Sequence, residues 1–258
     1  MGNVGNKNLP FVSCLCVTYG RPALLEEAIQ CFLNQDYTGK KELVILNDFN
    51  QQTFTIDHPE ILVVNLPRKV NTLGEKRNMA AGLSKGDVFF PWDDDDICLS
   101  FRLSQSVNYL ASNEVGYYKP KTAFLWNNGV IDSINANSFH AQCCYTRDVF
   151  NKTMYNHMGS GEDQDFDAKV RLLFNRDISS DVAADENFYL YRWAGTNSYH
   201  LSALGSEAGE TLAAEQLELA AELRVIPLGL IQLEPKWKTN YEQQAKKFIR
   251  ASKYKKSL

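Results

Sequence analysis

Apolar positions along the first hundred residues come in short unbroken runs separated by helix-spaced segments. Phe11-Val12-Ser13-Cys14-Leu15-Cys16-Val17 is almost continuously apolar, the pattern of a strand buried on both faces. Gly20-Arg21-Pro22 ends it, and Pro22 suits the first turn of a helix. Leu24, Leu25, Ala28, Ile29, Phe32 and Leu33 then recur at helical spacing. Leu43 to Leu46 predicts a second strand ending at Asn47-Asp48, and Ile61 to Val64 a third. A short helix from Leu73 to Leu83 leads to a fourth strand over Asp87 to Trp92. Strands alternating with helices predict an α/β fold with a parallel, doubly wound sheet. Ligands of such sheets gather at the carboxyl ends of the strands. Val17-Thr18, Asn47-Asp48 and the residues after Trp92 all lie at such ends.

The rhythm then changes. A helix carrying Phe101, Leu103, Val107, Leu110 and Ala111 precedes a predicted hairpin: Lys121 to Trp126, the turn Asn127-Asn128-Gly129, and Val130 to Ile134. Ala141 to Thr146 reads as a strand. Gly159-Ser160-Gly161 introduces an acid-rich helix start with Phe166, Val170, Leu173 and Phe174 behind it. Phe188 to Trp193 predicts a strand, Glu207 to Arg224 a helix, and Ile231 to Leu233 an edge strand. With no repeat or linker, the expected organisation is one domain over residues 1–235 and a basic segment over 236–258.

The sharpest chemical signal lies where the fourth strand stops. Val88-Phe89-Phe90-Pro91-Trp92 runs directly into Asp93-Asp94-Asp95-Asp96. A buried strand cannot carry adjacent unpaired charges inside, so the acids belong where the strand leaves the sheet. Crowded carboxylates repel one another and call for a positive partner, and hard divalent cations prefer oxygen ligands. The plainer alternative is a solvated acidic turn.

Composition narrows the class. Of 258 residues, 44% are apolar and 22% charged, as in ordinary globular proteins. No run approaches the ~20 apolar residues of a membrane span, and the first residues do not read as a secretory signal. Asn6 stands where a myristoylation motif wants Ser or Thr. The six cysteines form no CxxC pair, which predicts reduced thiols in a cytoplasmic protein. Charge is uneven. The chain carries −4 and residues 236–258 carry +7, so residues 1–235 carry −11. Lys246, Lys247, Arg250, Lys253, Lys255 and Lys256 are interleaved with Phe248, Ile249 and Tyr254. That mixture suits an anionic membrane surface or a nucleic acid, or simply a solvated terminal helix.

Four pieces occur in order: Val17-Thr18-Tyr19-Gly20-Arg21-Pro22; Glu42 to Asp48; Asn71-Thr72-Leu73-Gly74-Glu75-Lys76-Arg77-Asn78 leading to the acid run; and Gly161-Glu162-Asp163. Together they resemble family 2 glycosyltransferases of the GT-A fold, over roughly residues 11–200. The resemblance implies a mostly parallel central sheet flanked by helices, with a smaller hairpin-containing acceptor side. It implies a nucleoside-diphosphate sugar donor (a UDP-sugar favoured), Mn²⁺ or Mg²⁺, an aspartate base and inversion at the anomeric carbon. The backbone of Val17, Thr18 and Tyr19 and the carboxylate of Asp48 would then face the nucleobase. Arg77 would lie near the base or the diphosphate, and Asp94 near the ribose. Asp93 opens the DxD motif and Asp95 holds the metal, with Asp96 the alternative one residue on. Asp163 falls on the base. Many relatives carry a His shortly after a Tyr-Arg pair. Tyr191-Arg192-Trp193-Ala194 lacks it at that offset, which leaves His200 as the metal-ligand candidate. The acceptor is an unknown hydroxyl, a saccharide or lipid-linked saccharide being favoured over a modified nucleic-acid base.

Three rivals remain from the residues themselves. A sugar-nucleotide pyrophosphorylase needs a glycine-rich loop after the first strand, which Tyr19-Gly20-Arg21-Pro22 does not supply. A haloacid-dehalogenase-like phosphatase needs its acid pair after the first strand, not the fourth. A non-catalytic nucleotide-sugar-binding protein would keep the site without turnover.

Overall fold

The computed structural model describes residues 9–127, 129–135, 139–175, 179–192, 222 and 226–255. Four of the expected strands lie side by side and parallel: β1 (Val12–Thr18), β2 (Lys41–Asn47), β4 (Ile61–Asn65) and β5 (Val88–Pro91). With β7 (Tyr117–Pro120), β10 (Cys144–Thr146) and β11 (Ser179–Ser180) they form a seven-stranded sheet in the order β11-β7-β10-β5-β1-β2-β4. Only β10 runs antiparallel to its neighbours. The sheet is mostly parallel, as expected.

Side chains alternate across this sheet, and the two faces bury different halves of each strand. Cys14, Cys16, Leu43, Ile45, Val88 and Phe90 share one apolar cluster with Leu25, Ile29 and Phe32 of α1 (Pro22–Leu33). Leu15, Val17, Val44, Leu46 and Phe89 face the other way, onto Ala80 and Ala81 of α2 (Leu73–Leu83) and Phe166 and Val170 of α5 (Glu162–Phe174). Burial on both sides explains the continuous apolar runs. α3 (Arg102–Asn113) and α4 (Arg147–Thr153) complete the helices beside the sheet.

A second sheet, in the order β6-β12-β8-β9, is built from β6 (Ile97–Cys98), β12 (Tyr189–Arg192) and the hairpin β8 (Ala123–Asn127) and β9 (Val130–Asn135). Gly129 turns the hairpin at φ +93°, where a side chain would be strained. The expected edge strand is found slightly earlier, as β13 (Gly229–Gln232). It pairs in parallel with β3 (Gln52–Thr55) rather than with the main sheet. The apolar pattern does not reveal β3, because Phe54 is its only apolar residue. The expected helix over 207–224 lies outside the described residues except for Glu222.

The basic segment forms a helix, α6 (Tyr241–Lys255), docked on the second sheet. Tyr241 and Ala245 are buried, and Phe248 and Ile249 pack against the core. The Phe248 ring lies 6.2 Å from that of Phe124, edge on, and Trp126 Nε1 donates to Gln244 Oε1 at 3.2 Å. Lys246, Lys247, Arg250 and Lys253 are exposed. At the inner end of this packing, buried Glu27 of α1 accepts from Tyr241 Oη at 2.7 Å and Lys238 N at 2.9 Å, and pairs with Arg192 Nη1 at 2.5 Å. All six cysteines are buried free thiols; burial pushes Cys98 up to about 11 and Cys31 up to about 12, so neither is a thiolate at neutral pH. Among the described residues no helix is long and apolar enough to cross a membrane.

Candidate active site

β5 pairs with β1 up to Pro91, opposite Leu15, and Trp92 N still donates to Leu15 O at 2.9 Å. The chain then leaves the central sheet and crosses to β6 in the second. Asp93 to Asp96 fill that crossing, level with the end of β1. The Trp92 side chain turns into the core, where Nε1 donates to Ala28 O at 3.0 Å.

Each acid in the run is held differently. Asp94 is buried; its Oδ2 accepts from Thr18 Oγ1 at 2.6 Å and its Oδ1 pairs with Arg21 Nη2. The other arm of the Arg21 fork, Nη1, reaches Asp95 Oδ2 at 2.8 Å. Asp96 accepts from the phenol of Tyr189 and from Arg192 N, the latter at 2.8 Å. Asp93 is the most exposed of the four and meets Arg77 Nη1 at 3.4 Å. Burial raises the Asp94 carboxyl above its ordinary range despite the opposing Arg21 charge.

At the end of β2, Asp48 is buried and both its oxygens are engaged. Lys76 Nζ donates to Oδ1 at 2.5 Å and Val70 N to Oδ2 at 2.9 Å. Lys76 also donates to Thr18 O at 2.6 Å, tying the ends of β1 and β2 together. Its own burial lowers the Lys76 ammonium, with Asp48 pulling the other way. Beside it, the Tyr19 ring meets Phe49 edge on at 5.0 Å, with Lys69 Nζ 5.0 Å from the Tyr19 centroid. The result is an aromatic corner next to a carboxylate.

α5 supplies the opposite side. Gly161 takes φ +78° just before it, and Glu162 and Asp163 occupy its first turn. Glu162 is buried and its carboxyl is raised by that burial, with Arg77 acting against the shift. Arg77 Nε donates to Glu162 Oε1 at 3.1 Å, so one guanidinium links the α5 start to Asp93. Asp163 is half-buried, with Oδ1 accepting from Gln164 N at 2.7 Å. Gly74 permits the start of α2 to lie against the loop that leads into α5: a Cβ there would sit 1.8 Å from Asn156 O. Deeper in α5, Asp167 accepts from Tyr117 Oη at 2.9 Å, pairs with Lys119, and lies 3.1 Å from His140 Nδ1. His140 Nε2 in turn meets Tyr155 Oη at 2.7 Å, and Tyr155 Oη meets Tyr145 Oη at 2.8 Å.

The structure therefore gathers Val17, Thr18, Tyr19, Asp48, Arg77, Asp93, Asp94, Asp95 and the Glu162-Asp163 pair around one strand-end crevice. His200 lies outside the described residues. Sequence reasoning missed Arg21, Lys76 and Arg192. Arg192 had a readable signal, a lone cation in the otherwise apolar strand Phe188 to Trp193. Arg21 and Lys76 had none beyond their motifs. One carboxylate oxygen from each of Asp93, Asp95 and Asp96 lies within 4.8 Å of the others. A set of hard anionic oxygens at that spacing fits Mg²⁺ or Mn²⁺.

Comparison with known proteins bears on the fold. Residues 13–124 match the model of glycosyl transferase family 2, so the resemblance carried by the motifs holds over that stretch. No match was found among curated proteins. Among solved structures, TarS 1-349 of S. aureus in complex with UDP-GlcNAc aligns at TM-score 0.57 and 16% identity, covering 85% of this chain and 68% of that one. Full TarS aligns at TM-score 0.53 and 17% identity, with 85% of this chain but only 40% of that chain covered. The mannosyltransferase PcManGT from Pyrobaculum calidifontis, in complex with GDP-Man and Mn²⁺, aligns at TM-score 0.56 and 15% identity, covering 85% and 66%. The fold is that of the GT-A glycosyltransferases.

Proposed function

We propose that this chain is a metal-dependent, inverting glycosyltransferase that moves a sugar from a nucleoside-diphosphate sugar to an acceptor hydroxyl. The observation that carries this reading is the convergence of Asp48, the acid run and the Glu162-Asp163 pair on one crevice, with Arg77 linking the last two. Asp48 accepts the imide N–H of a uracil through the second lone pairs of its oxygens, its orientation fixed by Lys76 and the Val70 amide. A UDP-sugar is therefore the first donor to try. Arg77 offers a charged fork to phosphate oxygens between the donor and acceptor sides. A divalent cation at Asp95 and Asp93 would neutralise the leaving diphosphate as a Lewis acid. Asp163, at the open end of α5, takes the proton of the acceptor hydroxyl as its oxygen attacks the anomeric carbon opposite the diphosphate. Attack from that side inverts the configuration.

The acceptor reading is a saccharide, soluble or lipid-linked, handled in the cytoplasm. Phe248 and Ile249 pack inward, so peripheral attachment to a membrane would rest on the exposed cations of α6 alone. Those same cations keep a modified nucleic-acid base as the second reading. Incubation with a panel of nucleotide sugars and Mn²⁺, followed by mass spectrometry, tests the proposal. The expected result is metal-dependent hydrolysis or transfer of one donor, with product of inverted configuration. Nucleotide binding without turnover of any donor would reduce the chain to a binding protein.

A further inference from the structure

The acid run carries its own positive partner. Arg21 spans two carboxylates with one planar fork, Nη2 on Asp94 and Nη1 on Asp95 Oδ2 at 2.8 Å. Its backbone is fixed: Gly20 turns the chain at φ +72°, Pro22 begins α1, and Arg21 O accepts from Leu24 N at 3.1 Å and Leu25 N at 3.0 Å. The side chain reaches back from the rim of the crevice and keeps 17% exposure.

The other charges around the run are differently committed. Arg77 meets only Asp93 and divides itself with Glu162. The Arg192 guanidinium pairs with Glu27 and donates to the Asp95 carbonyl. Lys76 is engaged by Asp48 and Thr18 O. Asp96 takes donors from the Tyr189 phenol and the Arg192 backbone amide. Arg21 thus pairs with both Asp94 and Asp95, and Asp95 is also a member of the carboxylate triad within 4.8 Å.

We propose that Arg21 is a resident counter-cation that competes with a divalent ion for Asp95 and hands that carboxylate over when a diphosphate arrives. The inference rests on the metal-dependent reading given above. A guanidinium and a divalent cation on the same carboxylate repel each other, so Arg21 weakens metal binding in the absence of nucleotide. A diphosphate adds negative charge and gives the fork bidentate acceptors of the kind it prefers. Metal and nucleotide then bind cooperatively, and by linkage each strengthens the other equally.

This differs in sign from a supporting role. If Arg21 only braced Asp95 for the metal, removing its charge would weaken metal binding. The test is Mn²⁺ affinity by electron paramagnetic resonance, with and without UDP or GDP, in wild type, Arg21→Gln and Arg21→Lys, with circular dichroism checking the fold. Arg21→Gln is expected to tighten nucleotide-free Mn²⁺ binding by about fivefold or more, the lower end of coupling between linked sites. It should also shrink the gain that the nucleotide confers. Equal or weaker Mn²⁺ binding by Arg21→Gln overturns the proposal. Should that variant fail to fold, Arg21→Lys decides. Lys reaches one carboxylate instead of two, so tighter binding supports the proposal and equal or weaker binding overturns it. Wild type that binds no Mn²⁺ under either condition removes the metal reading and this inference together. Wild type whose Mn²⁺ affinity ignores nucleotide removes this inference alone.

Discussion

Asp167 and the Asp93–Asp96 run are both buried acidic groupings beside cations, yet their partners sit in different places. Around Asp167 everything is internal: Lys119 and Tyr117 come from β7, and His140 is packed against Tyr155 and Phe166. Burial alone would raise the Asp167 carboxyl, but His140 and Lys119 hold it well below the usual carboxylate range. Around the acid run the cations reach in from the rim on long arms. Asp94 and Asp95 are themselves as buried as Asp167, but Arg21 keeps 17% of its side chain exposed and Arg77 12%, against 4% for Lys119 and 3% for His140. A carboxylate buried together with its partner pins the fold. One whose partner can turn to solvent or to a ligand is available for exchange.

The comparison can be broken by substitution. Asp167→Asn should cost the most, about 3–5 kcal/mol of stability, because Lys119 is left as a buried unpaired charge. Urea unfolding measures this, and a loss below ~1 kcal/mol would remove Asp167 from the structural class. Next comes Asp163→Asn at the open end of the same helix. It should leave unfolding unchanged and cut transfer by roughly 10²-fold, about 2.7 kcal/mol of barrier. Near-normal turnover would move the base to Glu162 or Asp165. Asp95→Ala should abolish the Mn²⁺-dependent part of UDP affinity, a loss of about tenfold or ~1.4 kcal/mol, with the fold kept. Affinity and metal dependence that stay as in wild type would make the run a surface feature.

The smallest effect is a change of slope with pH. The Asp167 carboxyl is depressed in the folded state, so its contribution is fully present above the ordinary Asp value of ~3.9 and is lost as pH falls below it. Wild-type melting temperature should therefore drop on acidification through this window. In Asp167→Asn the drop should be shallower. Equal slopes would mean that other groups govern the acid limb.

The first half, with its parallel strands, was legible because those strands are buried on both faces and its acids sit at their ends. Val12 to Thr18, Lys41 to Asn47 and Val88 to Pro91 announce themselves by continuous apolar runs. Asp167 did not, since in sequence it looks like one more acid opening α5. Its partners Lys119 and His140 stand 48 and 27 residues away, with no periodicity to link them. The division of labour within the acid run was equally hidden. Four identical residues carry no mark of which meets Thr18, which meets Tyr189 and which faces out; only the crossing between two sheets sorts them. The last helix was readable as a helix, but not where its apolar side would go.

Glu27 introduces time into this architecture. Tyr241, one of its partners, follows it 214 residues later in the chain. At the ~5–20 residues per second of protein synthesis, that gap is about 10–40 s. Through that interval α1 can pack on the young sheet, while Glu27 still awaits Arg192 and then Tyr241. Arg192 belongs to β12, the strand that also delivers Tyr189 to Asp96. The strand that organises the acid run is thus translated well after the parallel strands β1, β2, β4 and β5. A ribosome that stalls before that strand leaves a chain with the parallel strands in place and an unfinished crossing.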